Sequence, residues 1–268
     1  MVGKAAVAFL DILGYKKIIE KGIENKSLIP GIEKIVKISL GLLRKSGEKS
    51  EPDRKDGWNT INEVTSARFI SDNAIFTLNL SKIPVEDPRD ISGYFHIYLS
   101  YISSFYLTFV AKIGCIQRGG LSIGTHYENA DNGHLFIFSE AYVNAYELER
   151  KDKGKPIARI IIDRKLFSYL ESIHLKDMGR FFYKDKDDEM CFEPYCFLDP
   201  SQGDDTLDDA KRILEDIKKA LIVNMGSNRG DDKVLGKLQY FIEHHNKTVS
   251  KYGDEFKEFL IDMNIFDK

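Results

Sequence analysis

The sequence has little cysteine, and the cysteines it has do not suggest disulfides. There are three, Cys115, Cys191 and Cys196, and each lies in apolar surroundings. An odd number of thiols in such contexts is typical of a reducing compartment, because a disulfide framework uses cysteines in pairs. Cys191 and Cys196 could act as metal ligands. Since no second cysteine–histidine pair lies near them, buried core thiols are the preferred interpretation.

A positive net charge and a long apolar run are also missing. The formal charge of the 268 residues is −3 at pH 7, whereas a non-specific nucleic-acid binder is normally basic. The most apolar stretch, residues 94–113, carries His96, Lys112 and several serines and threonines, which excludes a membrane span. The first residues lack a signal-peptide pattern. We therefore expect a cytoplasmic protein that binds neither nucleic acid nor membrane.

The chain alternates between strand and helix patterns. These patterns are a strand at 4–10, helices at 15–25 and 30–44, a hairpin over 67–78, a helix at 90–113, a strand at 115–124, a turn at 131–133, a helix at 140–150, a strand at 158–163, and weaker strands at 180–184 and 189–197. This order predicts an α+β fold with a mostly antiparallel sheet and helices on one face.

Composition suggests how the chain is divided. Residues 45–57 contain no apolar side chain, which indicates a flexible insertion at about 45–60. From residue 204 onward the pattern is helical. We predict a main domain over 1–200 and a helical C-terminal extension over 201–268, which packs on the core or on a dimer partner.

One acid stands at the end of the first strand. An apolar run over 6–10 ends in Asp11, and Gly14 and a helix pattern follow. A carboxylate in such a buried position is unfavourable without a compensating cation. Taken alone, Asp11 either binds a metal ion or caps the next helix by accepting hydrogen bonds from its free N–H groups.

A second acid, Asp72, is expected at the tip of the hairpin, between two β-prone runs. If the first strand lies beside this hairpin, Asp11 and Asp72 share a site. Two carboxylates with nearby backbone carbonyls suit hard cations such as Mg²⁺ or Mn²⁺, and a pair of such ions supports phosphoryl transfer. The turn after Asp11 would direct free N–H groups toward a triphosphate. We favour this metal site over structural roles for the two acids.

Four motifs resemble those of class III nucleotidyl cyclases, in the same order, over about residues 5–163. Residues 9–15 (FLDILGY) and 68–73 (RFISDN) resemble the first and second metal-binding motifs. Residues 118–124 (RGGLSIG) resemble an Arg-x-Gly motif, and 139–149 (SEAYVNAYELE) resemble a helix that carries an asparagine and an arginine. The last helix and the strand after it are most similar to the pyrimidine cyclases of bacterial anti-phage (Pycsar) systems.

The resemblance implies a ferredoxin-like, palm-type catalytic domain over 1–200. It implies two Mg²⁺ or Mn²⁺ ions held by Asp11, Asp72 and the backbone of Ile12, and a phosphate-binding turn that includes Ile12, Gly14 and Tyr15. The implied reaction converts a nucleoside triphosphate to a 3′,5′-cyclic nucleotide and pyrophosphate, in a homodimer whose sites are built from both chains. A separate effector would bind the cyclic product.

The sequence departs from the cyclase pattern where the base is read. The lysine that reads adenine falls on Arg68, which we assign to substrate binding. The base-reading aspartate falls near 136–138, where there is no acid. ATP is therefore disfavoured as a substrate, and UTP or CTP is expected, with the choice between them open.

A second departure concerns the cation of the transition state. Asn144 matches the asparagine that orients the ribose, but the family's arginine falls on Glu147 or Leu148. Arg118 and Arg150 are the catalytic candidates to replace it, with Arg68 as a further one. Arg118 could equally be a salt-bridge residue at a sheet edge.

Two other functions stay open. Because the arginine is missing, the chain could be a catalytically inactive relative that binds a nucleotide and signals through its helical extension. It could also be a palm-type enzyme that joins two nucleotides. Among the remaining polar residues, His244 and His245 are interpreted as helix-end residues rather than metal ligands, and His126 and His134 are expected to be exposed.

Overall fold

The structure is a computed structural model that describes residues 2–24, 26, 29–30, 33–34, 61, 63–84, 88–131, 134–200 and 207–266. The strands are β1 (Gly3–Ile12), β2 (Thr65–Ile70), β3 (Asn73–Asn79), β4 (Gln117–Asp131), β5 (His134–Ser139), β6 (Ile160–Ile162), β7 (Phe182–Lys184) and β8 (Met190–Phe192). The α-helices whose bounds lie within the described residues are α1 (Tyr15–Glu24), α2 (Pro88–Ile113), α3 (Glu140–Arg150), α4 (Arg164–Ser172), α5 (Met178–Phe181), α6 (Leu207–Ser227) and α7 (Asp232–Val249).

The eight strands form one sheet. Its order is β2-β3-β1-β4-β6-β8-β7, and β5 pairs with β4 off this path. All pairs are antiparallel except β4 with β6. This confirms the predicted α+β class with a mostly antiparallel sheet. The hairpin of β2 and β3 lies beside β1, as the shared site of Asp11 and Asp72 requires.

β1 buries side chains on both faces of the sheet. Ala8 and Leu10 belong to the main core, whereas Val7 and Phe9 pack against Ala141 of α3 and form a second, smaller cluster. The prediction placed the helices on one face, and the structure differs because a central strand that is apolar on both sides needs a cover on each. We call the side that carries Val7 and Phe9 the α3 face. Asp11 lies on it, since side chains alternate along a strand.

The other face of the sheet is covered by α2 and the C-terminal helices. Lys112 near the end of α2 forms an ion pair with Asp216 of α6 at 2.6 Å, and Asn224 donates to the carbonyl of Gly114 at 2.6 Å. Leu214, Leu221 and Phe241 are all part of the main core. The helices of the predicted extension thus pack on the core of their own chain, while the division into two domains stays a prediction.

Local structure departs from prediction in the C-terminal half. Helices α4 and α5 were not predicted, because each is short; the side chain of Asp163 caps α4 by accepting a hydrogen bond from the Lys165 N–H at 3.1 Å. The final helix expected near 254–263 is formed instead by two 3₁₀ segments, Asp254–Phe259 and Met263–Phe266. Cys115, Cys191 and Cys196 are buried and form no disulfide.

Two predicted features cannot be compared with the structure. The insertion at about 45–60 and almost all of the helix at 30–44 lie outside the described residues. Within the described part of the chain, no helix combines the length and the apolarity needed to cross a bilayer.

Candidate active site

The strand pairing brings Asp11 and Asp72 to the same end of the sheet. Asp11 lies opposite Asn73 of β3, and the N–H of Ile12 donates to the carbonyl of Asp72 at 2.8 Å. The two carboxylates interact electrostatically. Burial raises the pKa of Asp11, the guanidinium of Arg118 opposes this, and the charge of Asp72 raises the pKa further. The predicted proximity of the two acids therefore exists in the fold.

Arg118 is the centre of a buried charge cluster. Its Nη2 donates to Asp11 Oδ2 at 3.0 Å, and its Nε lies 2.5 Å from Glu149 Oε1. The second contact is an ion pair without hydrogen-bond alignment, because neither Nε nor Oε1 has a hydrogen-bond partner among the described residues. Burial raises the pKa of Glu149, and the charge of Asp11 adds to that rise against the effect of Arg118.

Two glycines of β4 make this cluster possible. A Cβ atom on Gly119 would clash with the carbonyl of Phe9, and one on Gly120 would clash with the carbonyl of Ala145 in α3. Without those atoms, β1 and α3 approach β4 closely, and Glu149 reaches Arg118. A role for Glu149 in the site was not predicted from the sequence. Its signal was an acid on the buried stripe of α3, four positions after Ala145.

The turn after β1 offers fewer donors than predicted. The N–H of Ile12 is bonded to Asp72, and the N–H of Leu13 donates to the carbonyl of Ile116 at 3.0 Å, so neither is available to a phosphate. Ile12 also buries its side chain, which leaves its carbonyl as the group that can serve a metal. Gly14 adopts a φ of +83°, a left-handed conformation that suits glycine, and α1 begins at the next residue.

The first residues of α1 supply the remaining donors. The N–H groups of Gly14, Tyr15 and Lys16 have no hydrogen-bond partner within the described part of the chain, as expected at a helix N-terminus. Burial raises the pKa of the Tyr15 hydroxyl, and the charge of Asp72 adds to this rise. Three N–H groups and two carboxylates thus meet at one end of the sheet.

The other predicted site residues lie in different surroundings. Arg68, on the α3 face of β2, forms an ion pair with Glu128 of β4 at 2.7 Å. Arg150 is exposed at the end of α3 and lies 3.5 Å from Glu147. Asn144 is half-buried on α3 and makes no hydrogen bond to another described residue. Arg118 is buried in an inner strand of the sheet rather than at an edge. The catalytic and substrate-binding roles of these residues stay predictions.

Asp11 and Asp72 offer carboxylate oxygens, which are the ligands that a hard divalent cation prefers. Asp11 has one oxygen bonded to Arg118, and Asp72 has one oxygen that accepts from the Asn73 side chain at 2.8 Å. The second oxygen of each carboxylate has no hydrogen-bond partner among the described residues. In those same residues no three His, Cys, Asp or Glu side chains form a metal-binding group. Mg²⁺ binds in such an arrangement, because it takes one or two carboxylates and completes its shell with water and substrate phosphates.

The histidines have structural contacts. His245 is fully buried, its Nε2 lies 3.1 Å from the Phe259 carbonyl and its Nδ1 lies 2.8 Å from the Tyr195 hydroxyl. Burial lowers its pKa to about 4, so the ring is neutral at pH 7 and both nitrogens are satisfied. The prediction that His126 is exposed is wrong: it is buried, and its Nε2 lies 3.6 Å from Glu128. Its Nδ1 lies 2.9 Å from the hydroxyl oxygen of Ser139, at the end of β5.

Comparisons with known proteins give a limited result. No family model matches the sequence, and no curated protein matches it. Solved structures that are similar in fold include a bacterial light-regulated adenylyl cyclase, with 11% identity, a TM-score of 0.40, and coverage of 81% of this chain and 99% of that one. The catalytic core of a rhodopsin–guanylyl cyclase with converted specificity in complex with ATPαS has 14% identity, a TM-score of 0.40, and coverage of 72% of this chain and 95% of that one. The guanylyl cyclase Cya2 has 11% identity, a TM-score of 0.37, and coverage of 72% of this chain and 91% of that one. With TM-scores of 0.40 or less, these similarities assign neither a family nor an activity to this chain.

Proposed function

We propose that this chain is a metal-dependent nucleotidyl cyclase, which converts a nucleoside triphosphate to a 3′,5′-cyclic nucleotide and pyrophosphate. The observation that carries the proposal is that Asp11, near the end of β1, and Asp72, in the turn between β2 and β3, lie at the same end of the sheet, beside the glycine turn that opens α1. Two carboxylates beside a helix N-terminus place metal ligands and phosphate donors next to each other.

In the proposed reaction the 3′-hydroxyl oxygen attacks the α-phosphorus of the same nucleotide. The hydroxyl proton leaves to solvent, and the bond between the α-phosphorus and the bridging oxygen of pyrophosphate breaks. Asp11 and Asp72, with the Ile12 carbonyl, would hold two Mg²⁺ or Mn²⁺ ions. When bound, such ions lower the pKa of the attacking hydroxyl and balance the charge of the triphosphate. The N–H groups of Gly14 and Tyr15 donate to phosphate oxygens, and Asn144 orients the ribose.

The proposed substrates are UTP and CTP. In the resemblance to class III cyclases, the aspartate that reads a purine amino group falls near 136–138. This chain has no acid there, and the rings of Phe136 and Phe138 are largely exposed. Arg68 and Ser66 of β2 both donate hydrogen bonds to the Glu128 carboxylate, at 2.7 and 3.0 Å. The α3 face is therefore polar and charged around Arg68, the residue assigned to substrate binding. We place the cyclic product in anti-phage signalling, where a separate effector protein binds it.

We further infer that the active form is a homodimer. Support comes from large apolar side chains that are exposed on β5 and α3: Phe136 is 59% exposed, Phe138 65% and Val143 54%. Exposed large apolar side chains of this kind mark interaction surfaces, and a second copy of the chain offers matching ones.

The decisive experiment is turnover by the purified full chain. It is incubated with each of the four nucleoside triphosphates and Mn²⁺, and the products are identified by mass spectrometry. We expect cyclic UMP or cyclic CMP together with pyrophosphate. If no triphosphate yields a cyclic product, the proposal is wrong. A product that contains two joined nucleotides would instead identify a polymerase-like enzyme.

The shared site of the homodimer has its own test. Asp72→Asn and Asn144→Ala are each expected to be inactive, but a mixture of the two regains activity if each site takes residues from both chains. Random pairing gives half mixed dimers with one intact site each, so about a quarter of the wild-type rate is expected. No recovery in the mixture, with dimers confirmed by light scattering, contradicts the shared site.

A second candidate function is supported by the arginines. Arg118 is engaged by Asp11 and Glu149, and Arg68 is engaged by Glu128. While these ion pairs persist, neither Arg118 nor Arg68 is free to stabilise the charge of a transition state. This is expected of an inactive relative that binds a nucleotide without converting it. Calorimetric binding of a triphosphate with no product after long incubation would favour this candidate over the enzyme.

A further inference from the structure

A cavity of about 680 Å³ lies between the Gly14 turn and the C-terminal helices. Leu13 and Gly14 form one wall, the end of α2 forms another, and α6 and α7 close the far side. Its volume is in the range that holds a small ligand. The cavity matters because the turn that forms its first wall is the phosphate-binding turn of the proposed function.

Four lysines line this cavity, and three of them have carboxylate partners. The pairs are Lys112 with Asp216 at 2.6 Å, Lys17 with Asp231 at 3.5 Å, and Lys219 with Glu215 at 2.7 Å. The fourth is Lys237 of α7. No carboxylate lies within ion-pair distance of its ammonium group in the described part of the chain. It is therefore the lysine of the cavity that is left to bind an added anion.

Lys237 also lies close to the charge cluster of the candidate site. It interacts electrostatically with Arg118, Asp11 and Glu149, and its burial lowers the pKa of its ammonium group. Its position is fixed by the residue before it, because a Cβ atom on Gly236 would approach the Pro156 side chain to 2.8 Å. The first half of α7, which contains Lys237, therefore packs closely against the segment that follows α3.

We propose that Lys237 enters the nucleotide site from the C-terminal helices and binds the pyrophosphate part of the triphosphate. The proposal rests on the proposed function, since it assigns the cation for which Arg118, Arg68 and Arg150 were candidates. When the α-phosphate bond breaks, negative charge grows on the departing pyrophosphate, and a cation at that place stabilises the transition state. A lysine on a flexible stem suits this task.

The first test measures binding of inorganic pyrophosphate, with Mg²⁺, to the full chain by calorimetry. Lys237→Gln is expected to weaken binding about tenfold, because a charge-assisted contact to phosphate is lost. Lys237→Arg keeps the charge and is expected to retain most of the affinity. Lys233→Gln is the matched control, because Lys233 lies one turn earlier on α7, is exposed and does not line the cavity, and it should bind like the wild type.

A second measurement uses the wild-type protein and so does not depend on the folding of a variant. Lysines are acetylated briefly with and without pyrophosphate, and the extent at each is read by mass spectrometry. Pyrophosphate is expected to protect Lys237 and not Lys233. Equal modification of Lys237 in both samples, or unchanged pyrophosphate affinity of Lys237→Gln, overturns the proposal.

Turnover separates this inference from the proposed function. If the chain cyclises a triphosphate, Lys237→Gln should lower kcat more than it raises KM, since the contact strengthens as charge develops on the leaving group. Normal kcat and KM in Lys237→Gln would reject the inference and leave the cyclase intact. Lys237-dependent pyrophosphate binding in a chain that converts no triphosphate would reject the cyclase and leave the inference intact.

Discussion

Two buried arginines lie side by side in this sheet, and their surroundings differ. Arg118 is on β4, Arg159 directly precedes β6, and the N–H of Gly119 donates to the Arg159 carbonyl at 2.9 Å. Arg159 donates well-aligned hydrogen bonds of 2.6 to 3.3 Å to three aspartates, Asp152, Asp185 and Asp187. Arg118 has one hydrogen bond to a carboxylate and one misaligned ion pair.

The pKa values of the acids beside the two arginines shift in opposite directions. Hydrogen bonds from Arg159 hold the pKa of Asp187 at about 2, so this carboxylate is favoured in its charged form. At the Arg118 cluster, burial raises the pKa of both Asp11 and Glu149. The Arg159 cluster therefore favours the charged form of Asp187, while the Arg118 cluster holds Asp11 and Glu149 in an environment that is unfavourable for their charge and that a bound cation would relieve. Perturbation of this kind is common at functional sites.

The largest effect is expected from Asp72→Asn, which removes a ligand of the proposed metal site. We expect the rate of cyclisation to fall about 10³-fold, because the metal stabilises the transition state by several kcal/mol. Thermal stability should hardly change, since Asp72 is only half-buried and its charge repels that of Asp11. Asp188→Asn, an exposed turn acid, is the control. Undiminished turnover by Asp72→Asn would refute the metal assignment.

Replacing each arginine by methionine tests whether the two clusters differ in their contribution to stability. Arg159→Met leaves the three acids with Lys155 as their remaining cationic partner among the described residues, and should lower the free energy of unfolding by about 3–5 kcal/mol. Arg118→Met should have a smaller effect on stability, because the pKa values of Asp11 and Glu149 are already raised by burial and both acids can take up a proton when the guanidinium is removed. Urea unfolding measures both. A greater loss of stability at Arg118 than at Arg159 would contradict the assignment of their roles.

A smaller effect is expected at the rim of the Arg159 cluster. The Tyr240 hydroxyl donates to Asp185 at 2.5 Å. Tyr240→Phe removes this hydrogen bond and should lower the free energy of unfolding by about 1–2 kcal/mol, with turnover unchanged. Both are measured on the same preparation, by urea unfolding and product formation. A loss of turnover without a loss of stability would show that the Arg159 cluster takes part in the chemistry.

The smallest effect is a pH dependence. The folded-state pKa of Asp187, about 2, lies below the usual 3.8, so its ionisation stabilises the fold above pH 3.8, and this contribution is lost as the pH falls toward 2. The wild type should therefore lose more stability than Asp187→Asn over this range. The difference should shrink in high salt, because Asp187 is about half exposed. Acid unfolding followed by circular dichroism at low and high salt measures it, and equal acid sensitivity of the two proteins would disprove it.

Much of the frame of the site was predictable from local sequence. The apolar run that ends in Asp11, the glycine that follows, and the turn residues between two β-prone segments each carry a short-range signal. These signals predicted β1, the start of α1 and the hairpin that holds Asp72, and the structure confirms the elements. The short helix α4 was missed because its apolar pattern is brief and its signal is a single capping residue, Asp163.

The partners of the site residues could not be predicted in the same way. Arg118 and Asp11 are 107 positions apart, and their contact follows from the pairing register of β1 with β4. Glu149 reaches the same guanidinium because two glycines let α3 lie close to β4. Lys237 arrives from a helix near the end of the chain. Side-chain periodicity states which face a residue occupies, but not which strand or helix lies opposite.

The sequence by itself determined where each carboxylate stands on its own element, since backbone alternation and turn chemistry are local. Only the tertiary structure decided which cations face those carboxylates. Strand order placed Arg118 beside Asp11, and helix packing placed Glu149 and Lys237 around it. Neighbouring Arg159 is paired with Asp152, Asp185 and Asp187 instead. The reason is physical: the energy of a buried charge depends on every charge near it in space, and that set is fixed only when the chain has folded.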